Sequence, residues 1–246
     1  RGAAWLNSIF ELFKIEWRIM MSKTWKAASN VALLNVDPQD TFCPNGGLAV
    51  EGGDEIIPVI NSLRAHFEKV YWSQDYHPDN HISFASTHGK EPFTLIKAPY
   101  GDQVLWPDHG KASATDGTGA QFHKDLVFKP TDKTIQKGTN VNIDSYSAFL
   151  ENDKKTPPRF ANGNSLAEEL RIDGVDTLII TGLALDYCVG DTALDALTEK
   201  FNVIVIEDAT RSITPEGRLN KIASIIEAGG IVCNSTALNN LPNLKA

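Results

Sequence analysis

The sequence predicts an α/β fold, a single-domain doubly wound and mainly parallel sheet with helices on both faces. Three observations lead there. From Val31 onward, short β-branched or aliphatic runs alternate with amphipathic ones, the order a helix-covered parallel sheet produces. The apolar runs are bounded by Gly, Asp or Asn, residues that favour turns. A length of 246 residues suits one large α/β domain with a full core better than two small ones.

Taken in order, strands are expected at Val31 to Val36, Val70 to Ser73, Thr177 to Thr181, Val203 to Ile206 and Ile231 to Cys233. Between them Asp54 to Phe67 carries apolar residues at 56, 59, 60, 63 and 67, a helical spacing repeated over Ser165 to Ile172 and Asp191 to Lys200. A fourth helix, Pro215 to Ala228, opens on a Thr-Pro cap signal and closes at Gly229. The stretch Ile82 to Asp125 is rich in Gly, Pro, Lys and Asp with little periodicity, and loops that long usually serve function. Residues 1–29 read as an N-terminal extension, an appended leader with a natural start at Met20 or Met21, and 30–246 as the domain. Glu11 and Glu16 argue against a mitochondrial transit peptide there.

Acidic residues outnumber basic ones by 31 to 23, and the net charge of −8 repels nucleic acid and anionic membranes, so a small-molecule partner is expected. No apolar run is long enough to cross a bilayer. Cys43, Cys188 and Cys233 are widely spaced without a CxxC pair, which indicates neither a disulfide framework nor a cysteine zinc site. A reducing compartment follows, with the cytoplasm as the expected location. A homo-oligomer is compatible with the sequence.

In open α/β sheets ligands bind beyond the carboxyl ends of the strands, where Asp37, Asp75 and Cys188 all fall. Cys188 lies between an apolar strand and a helical pattern, where helix N–H groups and the helix dipole would lower a thiol pKa. It is a candidate nucleophile, weighed against the bland role of a small buried hydrophobe. Asp37 can serve as a base or simply form an Asx turn before Pro38, and Asp40 is the weaker candidate. Asp75 and His77, two apart on an extended chain, face together and make two-thirds of a metal site to which His81 or His109 can add nitrogen. A capped turn with solvated histidines is the alternative, but four of the six histidines (77, 81, 88 and 109) fall between 77 and 109. Lys137 is not separable from Lys129 or Lys133 on the residues alone.

The blocks VDPQDTFCPNGGLAV, SQDYHPDNHISFAS, WPDH, KGTNVNIDSYSAF and GLALDYCVGDTALDA resemble, in order and spacing, the nicotinamidases of the isochorismatase-like cysteine hydrolases, across roughly Val31 to Cys233. The resemblance implies a catalytic triad of Asp37, Lys137 and Cys188. It also implies a divalent ion on Asp75, His77 and His109, with zinc first and iron or manganese as alternatives. His81 matches a family histidine that either ligates the metal or supports it. Phe42, Leu48, Trp106 and Tyr146 map to the substrate pocket. A cis peptide is expected before Ala184, and the backbone N–H groups of Ala184 and Cys188 are expected to form the oxyanion hole. The implied activity is hydrolysis of nicotinamide to nicotinic acid and ammonia through a Cys thioester, in NAD salvage. A related amidase acting on a carbamoyl or ureido compound and a non-catalytic metal-binding module are the alternatives. Two departures touch loop geometry and specificity: His109-Gly110 stands where the family commonly reads His-Cys, and the loop from Gly110 to Gly119 is longer and more polar.

Overall fold

The computed structural model describes residues 26–240 and 244; the expected leader and its start at Met20 or Met21 lie outside the described residues. The described strands are β1 (Val31–Val36), β2 (Val70–Asp75), β3 (Leu95–Ala98), β4 (Gly101–Val104), β5 (Lys133–Lys137), β6 (Thr177–Leu183), β7 (Asn202–Arg211) and β8 (Ile231–Cys233). Six form one sheet in the order β5-β2-β1-β6-β7-β8, and every pairing in it is parallel. β3 and β4 make a separate antiparallel hairpin.

Alternation along the strands divides the core into two layers. Leu33, Trp72, Ile179 and Ile204 point to the face covered by α1 (Ile57–Arg64). Their neighbours Leu34, Tyr71, Ile180 and Val205 point to the face covered by α2 (Leu166–Ile172), α3 (Gly190–Thr198) and α4 (Pro215–Glu227). Two helix starts follow from local chemistry. Ser165 and Glu168 close a reciprocal capping box on α2. On α4, Thr214 accepts from the Gly217 N–H ahead of Pro215, whose fixed φ suits the first turn.

The predicted fold class is the observed one, with differences in detail. β2 continues to Asp75 and β6 to Leu183, so both strands carry the chain to the site. The helix expected over Asp54 to Phe67 is a tight turn, Gly53–Ile56, followed by the shorter α1. β5 and the β3–β4 hairpin are strands that apolar periodicity does not reveal. β5 is an edge strand whose Ile135 and Lys137 turn inward while Thr134 and Gln136 face out. No helix among the described residues is long and apolar enough to cross a membrane.

The edge strand is anchored at its base. Asp132, just before β5, accepts from the guanidinium of buried Arg64 at two points, from Trp72 Nε1 at 3.0 Å and from the Lys129 N–H. Removing one partner of such a pair leaves the other charge buried alone, at about 3–5 kcal/mol. Asp132→Ala is therefore expected to lower Tm by roughly 6–20 °C, as about 2–4 °C accompany each kcal/mol at this size. A calorimetric Tm unchanged within 2 °C would remove the anchor from the account.

Candidate active site

Four neighbouring strands each deliver one reactive side chain to the same edge. Lys137 ends β5, Asp75 ends β2, Asp37 follows β1, and Cys188 follows β6. Lys137 and Asp75 are register partners, so the ammonium reaches across from the edge strand. Its Nζ lies 2.5 Å from Asp75 Oδ1, 2.9 Å from Asp37 Oδ2, 2.7 Å from the Ser145 carbonyl and 3.5 Å from Cys188 Sγ. All four side chains are buried, and Asp37, Asp75 and Cys188 place one acceptor atom each within 4.8 Å of one another.

Asp37 adopts the left-handed backbone region at φ 47°, which Asp tolerates better than most residues. Its N–H donates to Ser73 O, its carbonyl accepts from Gln39, and its Oδ1 accepts from Ser73 Oγ at 2.6 Å. Oδ2 receives the Lys137 charge but no hydrogen bond of good geometry, which leaves a lone pair for a proton. Burial pushes the Asp37 carboxyl up to about 6, against the pull of Lys137. For Asp75 burial acts in the same sense, but Lys137 and His77 outweigh it and hold the carboxyl well below the usual carboxylate range.

Cys188 sits in one wide π-type turn, Leu185–Val189, that leads into α3, a geometry often found at functional positions. The expectation of a thiol activated by the helix end is corrected here. Burial raises the Cys188 pKa well above its ordinary value, only partly opposed by Lys137, and nearby carboxylates add to the rise. The resting sulfur is a thiol, and a base must take its proton.

Beside this group, His77 Nε2 lies 3.7 Å and His109 Nε2 3.8 Å from Asp75 Oδ2. The opposite nitrogen of each ring is occupied: His77 Nδ1 meets the Gly138 carbonyl at 2.9 Å and His109 Nδ1 the Pro107 carbonyl at 2.7 Å. Those carbonyls accept from Nδ1–H, so each Nε2 is turned toward Asp75. His77 Nε2 is buried without a hydrogen-bond partner. Burial would lower the His77 pKa, but Asp75 raises it, so the space between them attracts positive charge. Asp75, His77 and His109 thus fit a divalent ion, and one carboxylate with two imidazoles suits zinc, iron or manganese. His81 is turned away from this trio. It stacks on His77 with centroids 4.1 Å apart, bonds Ser83 Oγ through Nδ1, and bonds the Ile143 carbonyl through Nε2. His88 is exposed, bonded to the Ile82 carbonyl.

A narrow, partly enclosed cavity opens onto Cys188. Phe42, Leu48, Trp106 and Tyr146 line it, as does Ala184, and the Leu183–Ala184 peptide is cis. Trp106 Nε1 donates to Tyr146 Oη at 3.1 Å, and Tyr187 packs edge-on against Trp106. Val50, Asp144, Tyr187 and Ile213 complete the wall. Sequence reasoning missed these four, and it missed Gln39. Buried Gln39 bonds both the carbonyl and the N–H of Asp75, clamping the loop after β1 to the end of β2. The only signal for Gln39 was its place two residues beyond Asp37. Gly110, at φ 57°, lies so close to Asp75 that an added Cβ would stand 3.0 Å from the Asp75 Cβ.

The isochorismatase domain family matches residues 31–237. A nicotinamidase of Acinetobacter baylyi is 44% identical over 213 residues, covering 86% of this chain and 95% of its own. A solved nicotinamidase/pyrazinamidase of Acinetobacter baumannii is 45% identical with a TM-score of 0.79, covering 87% of this chain and 100% of that one. The pyrazinamidase of Pyrococcus horikoshii, solved in complex with zinc, is 30% identical with a TM-score of 0.66, covering 83% of this chain and 99% of its own.

The Gly138 carbonyl orients His77, and φ 63° suits glycine there. A Cβ at 138 would stand 2.5 Å from His77 Nδ1, inside contact distance. Gly138→Ala is expected to weaken divalent-metal binding at least about tenfold, the usual effect of disturbing a ligand's support. Competition against a chromophoric chelator measures it, and wild-type affinity in the variant would refute the supporting role.

Proposed function

The chain belongs to the isochorismatase family, and from that premise and the buried Asp37–Lys137–Cys188 arrangement we propose how it hydrolyses nicotinamide to nicotinic acid and ammonia, in NAD salvage. The observation that carries the reading is the single ammonium, Lys137 Nζ, set between two carboxylates with the Cys188 sulfur at 3.5 Å. The close nicotinamidase relatives supply the substrate.

The thiol proton passes from Cys188 Sγ to Asp37 Oδ2 as sulfur attacks the carboxamide carbon. Lys137 keeps the charge near Asp37 balanced while the proton moves. The oxyanion forms against the backbone N–H groups of Ala184 and Cys188, and in other enzymes one such donor is worth about 3 kcal/mol. Asp37 then returns the proton to the departing nitrogen, the C–N bond breaks, and ammonia leaves a thioester. Water gives a proton to Asp37 and adds to the thioester carbonyl. The C–S bond breaks, and sulfur recovers its proton from Asp37. Phe42, Leu48, Trp106 and Tyr146 hold the flat ring in this reading, with Tyr187 and Ile213 closing the wall. A divalent ion on Asp75, His77 and His109 would supply a Lewis acid to anchor the pyridine nitrogen. Zinc is the proposed ion, supported by the donor set and by the zinc-bound relative. The three unpaired cysteines support a reducing compartment, and we assign the protein to the cytoplasm.

Ammonia release from nicotinamide tests the scheme. Cys188→Ala is expected to lose at least about a thousandfold in kcat, as for other covalent nucleophiles, and Asp37→Asn about 10²–10⁴-fold, the range for a lost general base. Full turnover by either variant defeats the mechanism. The acid limb carries a second expectation. With its carboxyl raised to about 6, Asp37 is the charged base above that pH and protonated below it, so kcat/KM should fall as pH drops through about 6. A profile flat from pH 7 to 5 would assign the base elsewhere.

A further inference from the structure

Asp144 is a buried carboxylate on the cavity wall that the reaction scheme does not use. Its Oδ2 accepts from Gln103 Nε2 at 2.7 Å and its Oδ1 from the Ser145 N–H at 2.8 Å. Both oxygens therefore act as acceptors, yet no ion pair reaches it among the described residues. Buried charges are normally paired or directed at a metal. Gln103 is itself fixed, since its Oε1 accepts from Tyr100 Oη at 2.9 Å, so the carboxylate is held in place rather than free to turn toward solvent.

What it faces is the imidazole pair. Asp144 presents an oxygen within 4.8 Å of ring nitrogens of His77 and His81, and its charge is felt at His77 and His109. The segment around it touches the centre residue by residue. Ile143 O accepts from His81, Ser145 O accepts from Lys137, and Tyr146 Oη accepts from Trp106. The ring nitrogens of His81 are taken up by Ser83 and Ile143, and Gly138 takes Nδ1 of His77, so the geometry does not favour a second ion there.

The charge balance of the buried group explains the placement. Lys137 brings one positive charge, and Asp37 and Asp75 bring two negative ones. A divalent ion would leave the group one positive charge in excess. Transfer of the Cys188 proton to Asp37 does not alter that sum, because the proton stays inside. One further carboxylate makes it neutral. We propose that Asp144 is the charge-balancing anion of the metal centre, a positioning residue that strengthens ion binding by Asp75, His77 and His109 without being a ligand. This inference rests on the metal reading of that trio.

The test compares wild type with two neutral variants, Asp144→Asn and Asp144→Ser, and with Asp144→Glu, which keeps the charge. Zinc affinity is read by competition with a chromophoric chelator, and the zinc-induced rise in Tm is measured beside it so that packing losses common to both states cancel. Both neutral variants are expected to bind zinc about 10- to 100-fold more weakly, the range for outer-shell partners, with a smaller zinc-induced rise in Tm. Asp144→Glu is expected to recover most of the affinity. Equal zinc affinity in wild type and the neutral variants, or an equal loss in all three variants, overturns the role of Asp144 while leaving the metal reading intact. A folded wild type that takes up no divalent ion overturns both.

Discussion

The site depends on one buried ammonium. Lys137 is fully desolvated, which no lysine tolerates without compensation, and it is compensated by Asp37, Asp75 and a carbonyl at once. The dependence is mutual, since Asp37 and Asp75 have carboxylate oxygens within 4.8 Å and would repel without it. Asp75 then divides its two oxygens: Oδ1 serves the lysine, and Oδ2 faces the imidazoles of His77 and His109. A single carboxylate therefore joins the charge relay around the thiol to the candidate metal site. The same ammonium keeps Asp37 from rising further, so that at neutral pH the base is free while the thiol retains its proton.

Much of the frame was legible because it rests on local pattern. The β1 limits agree with the apolar run, since a central strand buried on both faces reads as a continuous hydrophobic segment, and the short edge strand β8 also spans its aliphatic run. β5 was not legible for the opposite reason: Lys-Thr-Ile-Gln-Lys is an edge strand with two inward residues, one of them the lysine. That lysine looked solvated because nothing near it in sequence explains its burial. Its partners come from β1, β2 and the loop at Ser145. The Asp75-His77 spacing was readable, being a property of one extended chain. The orientation of those rings was not, as it is set by carbonyls at Gly138 and Pro107.

The thiol shows where a local rule yields to a global one. The turn after β6 has the form that predicts an activated cysteine, but Cys188 is enclosed, and three carboxylates act on it along with one ammonium. Desolvation outweighs the benefit of a helix end, which falls off within a turn. Gln39 and Asp144 were invisible for a related reason. Each acts through hydrogen bonds to groups more than thirty residues away, and neither residue type is distinctive until those partners are known.

The place of Lys137 on the outermost strand has a consequence for local opening. Edge strands ordinarily fray first, because only one side is paired and little else opposes exchange of their amides with solvent. Here, detaching the end of β5 would withdraw the ammonium that, among the described residues, Asp37 and Asp75 share, and leave two adjacent buried anions facing each other. The outermost strand is thereby held by its electrostatics as well as by its backbone bonds to β2. Amide exchange at 135–137 should then follow opening of the central strands rather than precede it, making the margin of the sheet part of its most cooperative unit.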